Sequence, residues 1–172
     1  MVRAILEGRK TQTRRIVKPP PIEHNGVIEF GDAIAGSMDA LTNWMVANKC
    51  PYGKLGDRLW VREKFAEMKW PPTGPRFVYA ADGECDFTPW RPSIHMPRCA
   101  SRITLEVVSV RVERLQECSE ADAKAEGCSP LGDDTSQAYR LGYMHMWGQI
   151  NGPGSWEANP WVWVITFKRI RP

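Results

Sequence analysis

Ser101-Arg102-Ile103-Thr104-Leu105-Glu106-Val107-Val108-Ser109-Val110-Arg111-Val112-Glu113-Arg114-Leu115 is the stretch that decides the fold. Apolar and polar residues alternate here at the period of a β-strand whose two faces meet different surroundings. Ile103, Leu105 and Val107 share one face, and Val108, Val110 and Val112 then continue in the opposite phase. One extra residue in a strand flips every later side chain, so the slip predicts a bulge at Val107-Val108. Bulges bend sheets toward closure, and the stretch therefore points to a curled antiparallel sheet.

Upstream of it, residues 58–65 read as a strand, with Leu59, Val61 and Phe65 against Trp60 and Arg62. Residues 71–75 turn the chain and 76–81 form another strand. Downstream, Ser119 reads as a helix N-cap with Asp122 as the capping-box acid, and the short helix 120–126 stops at Gly127. A second helix is predicted at 138–150, carrying Tyr139, Leu141, Met144, Trp147 and Ile150, although Gly142 weakens it. Residues 161–170 form the last strand. Trp161-Val162-Trp163-Val164-Ile165 is apolar on both faces, which predicts a central strand covered on both sides. At the other end, Val2, Ile5 and Leu6 have helical spacing, Gly8 stops that helix, and 11–17 reads as a strand. Between these parts, Pro19-Pro20-Pro21 opens a segment of weak signal with a short strand at 27–30 and a helix around 40–47. It reads as an insertion at about 19–51 within a single domain covering 1–172. The expectation is an α+β fold: a small, mainly antiparallel β-barrel with a few flanking helices and long loop insertions.

A chain of 172 residues can bury a core without staples. Its hydrophobic content of 42% and charged content of 25% are those of a globular protein. A net charge of +3 permits a nucleic-acid partner without requiring one. Cys50, Cys85, Cys99, Cys118 and Cys128 are odd in number and without paired metal-ligand spacing. They read as reduced thiols, and His95 with Cys99 does not make a zinc site. The absence of a signal peptide and of a long apolar run predicts a cytoplasmic protein away from membranes. The eight tryptophans, several in proline-rich loops near arginines, suit either stacking on bases or plain packing.

Chemistry concentrates in Gly8-Arg9-Lys10-Thr11-Gln12-Thr13-Arg14-Arg15, which has four cations and two threonines and no acid. An amine at Lys10 and a hydroxyl at Thr13 are the minimum equipment for activating a hydroxyl nucleophile or holding a carbonyl-bearing ligand. The alternative is a basic surface turn. Glu126 sits in the last turn of its helix, where negative charge opposes the helix dipole. It is either a proton-transfer group or a solvated carboxylate. Arg14 and Arg15 alternate on the strand, so one can line a pocket while the other meets solvent. The loop Trp90-Arg91-Pro92-Ser93-Ile94-His95-Met96-Pro97-Arg98 has the composition of a lip over a base-sized ligand, or of a plug at one end of the barrel.

Ile5-Leu6-Glu7-Gly8-Arg9-Lys10-Thr11-Gln12-Thr13-Arg14-Arg15 resembles the signature of the ASCH superfamily, a small barrel related to the PUA domain of RNA-modifying enzymes. Gly53-Lys54-Leu55-Gly56-Asp57-Arg58-Leu59-Trp60-Val61 resembles the family's Gly-Asp turn and following strand. The acidic helix at 119–127 and the closing strand at 161–169 are similar in order and kind. The whole chain, with its 90–97 loop, is similar to ASCH-type proteins of phages and prophages. The resemblance implies a PUA-like barrel. It also implies an amidohydrolase that removes the acyl group from N(4)-acetylcytidine, with Lys10, Thr13 and Glu126 as the catalytic set. Thr13 would attack the amide carbonyl, Lys10 would take its proton, and Glu126 would pass a proton to the leaving amine. A variant uses Glu126 as base on water while Lys10 polarises the carbonyl. Arg15, Arg9, Trp90, Arg91 and His95 are the expected substrate-binding residues, with Arg9, Arg14 and Lys18 available for phosphate. The chemistry calls for no metal or cofactor. The expected partner is a small nucleoside, with RNA as a further candidate. An RNA-binding module that recognises a modified or flipped base, or a ribonuclease, is the alternative function.

Overall fold

The computed structural model describes residues 1–24, 27–30, 33–35, 37–68, 76–83, 89–132 and 136–170. The expected turn at 71–75 and Cys85 lie outside them. From the N-terminus come α1 (Val2–Leu6), β1 (Gln12–Ile16), β2 (Ile22–His24), β3 (Val27–Phe30), β4 (Ala33–Ala35) and α2 (Met38–Asn48). Then follow β5 (Arg58–Trp60), β6 (Phe65–Glu67), β7 (Phe77–Tyr79), β8 (Thr104–Arg114), α3 (Glu120–Ala125), α4 (Ala138–Asn151) and β9 (Trp161–Ile170). The architecture is α+β.

The principal sheet is an antiparallel half-barrel with the order β1-β9-β8-β5. Its bend lies where the alternation slips: Val107 pairs with Phe167 and Ser109 with Thr166, so Val108 is the extra residue. Val108 is exposed, whereas Val107 before the bulge and Val110 and Val112 after it pack into one cluster. The bulge thus keeps Val110 and Val112 on the same core as Val107.

β9 is central, and four consecutive residues, Val162 to Ile165, are buried. Each face of the sheet has its own cover. Val162 and Val164 pack with Leu115, Ala123, Tyr143, Trp147 and Trp156, on the side of α3 and α4. Trp163 and Ile165 pack with Val107, Val17, Leu41 and Met45, on the side of α2. Fully burying each large apolar side chain contributes about 1.5–3 kcal/mol. The segment expected to be an insertion is therefore built into the core: α2 carries Leu41 and Met45, both at 0% exposure, while β2, β3 and β4 form a small sheet beside it.

The expected single strand at 58–65 is divided. β5 pairs with β8, and β6 turns away to pair with β7. Between them Val61 still donates to the Ile103 carbonyl, at 3.0 Å, before the chain leaves the principal sheet. None of the helices in the described residues is long and apolar enough to cross a membrane.

Candidate functional site

Three backbone contacts tie the start of β1 to its neighbours, one to α1 and two to the end of α3. Lys10 N–H donates to the Ala4 carbonyl, Thr11 N–H donates to the Ala125 carbonyl, and Lys10 pairs with Glu126 in an isolated antiparallel bridge. The capping box expected from the sequence starts α3: the Ser119 hydroxyl accepts from Asp122 N–H, and the Asp122 carboxylate accepts from Ser119 N–H. Gly127 follows with φ +76°, and a Cβ there would lie 2.9 Å from Lys10 Cβ and 3.0 Å from Ala4 Cβ. Glycine is thus required twice, by its left-handed backbone and by the close approach of Lys10.

The result is a buried ion pair. Lys10 Nζ donates to Glu126 Oε2 at 2.6 Å, to the Glu126 carbonyl at 2.8 Å and to the Gln12 carbonyl at 2.8 Å. Both side chains are 3% exposed. Three acceptors match the three N–H bonds of an ammonium and leave it no lone pair. The other carboxylate oxygen of Glu126, Oε1, is 3.4 Å from Arg14 Nη1. Arg14 is itself buried, donates to Glu113 Oε1 and Gln12 Oε1, and lies 5.7 Å from the Tyr143 ring centre. Arg111 bridges Glu113 to Asp122. Lys10, Arg14 and Arg111 thus alternate with Glu126, Glu113 and Asp122 in a charge-balanced chain.

Burial disfavours the charge on Asp122. Hydrogen bonds from the Ser119 hydroxyl and N–H, together with the Arg14 and Arg111 charges, outweigh that and bring its pKa down to about 2. Burial pushes the Cys118 thiol up to about 12 and the Cys128 thiol up to about 11, so neither is a nucleophile at neutral pH.

Above the pair opens a cavity of about 380 Å³. Its deep residues are Lys10, Arg14, Glu126, Tyr143 and Trp147, all buried, while Arg15, Ile150 and Asn151 stand exposed at the mouth. Four consecutive residues of β1, Thr13 to Ile16, line it, which means that it runs along the open edge of that strand rather than over one face. The opposite wall is one stripe of α4, where Tyr143, Met146, Trp147 and Ile150 recur at helical spacing. Two polar groups here lack protein partners among the described residues: the Thr13 hydroxyl, and the indole N–H of Trp147, which is fully buried. A buried donor without a partner is rare and marks a place for a ligand or water.

The structure therefore brings Lys10, Thr13 and Glu126 to one cavity, with Arg15 at its rim. It places the other expected binding residues elsewhere. Arg9 is exposed and pairs with Glu7. Trp90 stacks against Lys64, and Arg91 exchanges backbone hydrogen bonds with Phe65. His95 is exposed in a 3₁₀ turn. The 90–98 loop covers the β6–β7 hairpin because Met96 is drawn into the cluster around Phe65. Arg14, expected on the surface or on phosphate, points inward. Lys10, Gln12 and Arg14 alternate along the strand and are all buried, and this period-2 run of polar residues was the available signal. Among the described residues no group of His, Cys, Asp or Glu is arranged to hold a metal ion. Comparisons of the chain with protein-family models, curated proteins and solved structures give no match.

Proposed function

We propose that this chain is an ASCH-type, PUA-like amidohydrolase that removes the acyl group from an N(4)-acylated cytosine nucleoside. The observation that carries the reading is the Lys10–Glu126 pair, buried at 2.6 Å on the floor of a cavity that Thr13 also lines. Apolar side chains in the same place would serve stability as well or better. Charges retained at the floor of a cavity point to chemistry instead.

Hydrolysis of an amide needs a proton acceptor, charge to meet the developing oxyanion, and a proton for the leaving nitrogen. The filled hydrogen bonds of Lys10 support the variant with water as nucleophile. Glu126 takes a proton from a water positioned by Thr13, and the hydroxide oxygen bonds to the acyl carbon. The Lys10 and Arg14 cations stabilise the tetrahedral oxyanion. Protonated Glu126 then gives its proton to the exocyclic nitrogen, the C–N bond breaks, and the cytosine nucleoside and a carboxylic acid leave. The apolar wall of α4 receives the pyrimidine.

Purified protein incubated with N(4)-acetylcytidine should discharge the ultraviolet band of the acetylated base. Glu126→Gln should slow this by roughly 10²–10⁴-fold, the usual contribution of a positioned acid–base. No turnover at high enzyme concentration overturns the reading for this substrate. An RNA-binding module is the second reading, supported by cations stacked on aromatic rings away from the cavity: Arg62 and Arg98 on Trp60, and Lys64 on Trp90. RNA binding at that surface should survive Lys10→Ala and weaken steeply with salt.

A further inference from the structure

A second cavity, about 400 Å³, continues from the first around the edge of β1. The two share Arg15, Ile16 and Asn151. Its character is different. Arg15, Lys18 and Lys49 contribute three cations, Phe30, Tyr52 and Trp163 contribute aromatic rings, and among the described residues no acid lines it. The charges of the first cavity are already matched: Lys10 is neutralised by Glu126, and Arg14 by Glu113 and Asp122. Arg15 donates to the Arg14 carbonyl, and neither Arg15 nor Lys18 makes an ion pair among the described residues. A concave site where an arginine and a lysine make no ion pair concentrates anions, and an arginine fork beside a lysine is suited to phosphate. Thr13 and Arg15 are two residues apart on an extended strand, about 7 Å by strand rise. That spacing matches a ligand whose polar base and anionic group are separated by one sugar.

We propose that the second cavity is a phosphate subsite of the same site, so that the ligand is a cytosine nucleotide with its base over Lys10–Glu126 and its phosphate at Arg15 and Lys18. The proposal rests on the reading of the first cavity as a nucleoside site. The phosphate belongs either to a mononucleotide or to the backbone of a longer strand, since both present the same anion.

Calorimetric titration with reaction products tests it without depending on turnover. Cytidine, cytidine 5′-monophosphate, cytidine 3′-monophosphate and a cytosine-centred trinucleotide are each titrated into the full chain at low salt. At least one phosphorylated ligand should bind about tenfold or more tightly than cytidine, the effect of one or two charge-assisted hydrogen bonds. Salt and Lys18→Gln should each narrow that ratio, and inorganic phosphate should compete with the nucleotide. A trinucleotide that outbinds both monophosphates assigns the anion to a strand, and parity assigns it to a mononucleotide; either result supports the subsite. Equal binding of all ligands, no binding of any, or a ratio untouched by Lys18→Gln overturns it. Acetylcytidine turnover without a phosphate preference sinks the subsite alone. A phosphate preference without turnover sinks the hydrolase reading alone.

Discussion

Lys10 and Glu126 depend on each other, because each is the counter-charge that makes the other tolerable out of water. Glu126→Gln keeps the shape but leaves a buried ammonium facing a neutral amide. Removing one partner of such a pair costs about 3–5 kcal/mol, which urea denaturation would read directly. Adding Lys10→Met to that variant should recover much of the stability and none of the turnover. If Glu126→Gln alone is as stable as the parent, the pair is not held as charges. Asp122 gives a second prediction, with a defined sign. Its folded pKa, about 2, lies below the 3.8 of an unperturbed aspartate. The stability it contributes is complete above about pH 4 and is lost as pH falls through 2. In Asp122→Asn the decline in melting temperature between pH 4 and pH 2 should be shallower than in the parent. Parallel curves would show that other carboxylates govern the acid limb.

Glycine marks an element whose fit depends on having no side chain. Gly142 lies inside α4, where alanine would raise helix propensity by about 1 kcal/mol. A Cβ there would meet the Ser129 carbonyl at 2.1 Å, a backbone atom that cannot swing aside. Gly142→Ala should therefore destabilise, by about 1–3 kcal/mol as overpacking does, and thermal melts would give the sign. A more stable variant would mean that the 128–131 segment does not rest on α4. The sequence shows Gly142 only as a weak point in a helix, since the strand of chain lying across it is remote in pairing and invisible to periodicity. Local signals fared differently. The slip at Val107-Val108 and the Ser119–Asp122 box are each written within a few residues, and both are present. The polar alternation of Lys10, Gln12 and Arg14 was visible in β1, but not that this face turns inward, which is set by the pairing with β9. That depends on register with a partner some 150 residues away. The division at 58–67 has the same origin: β5 and β6 find different partners, and nothing in their own alternation says so.

Across the whole molecule, the sheet separates two cores that must form together. β9 contributes Val162 and Val164 to one and Trp163 and Ile165 to the other, so neither core can dissolve without exposing half of the central strand. The candidate site lies on the α3–α4 side, and α2 lies on the opposite face. This arrangement makes α2, within the 19–51 segment, a remote but integral support. Leu41 is fully buried against β8 and β9. Leu41→Ala should cost about 2–5 kcal/mol, with a fall of about 2–4 °C in melting temperature for each kcal/mol in a chain of this size. The transition should stay single, and any hydrolytic activity should disappear at the same temperature as the far-ultraviolet signal, because both cores share β9. An early, separate transition that leaves activity intact would mean that the 19–51 segment folds as a unit of its own. In that case the edge of β1, which leads directly into this segment, would need no support from α2 to hold Lys10 and Thr13 in place.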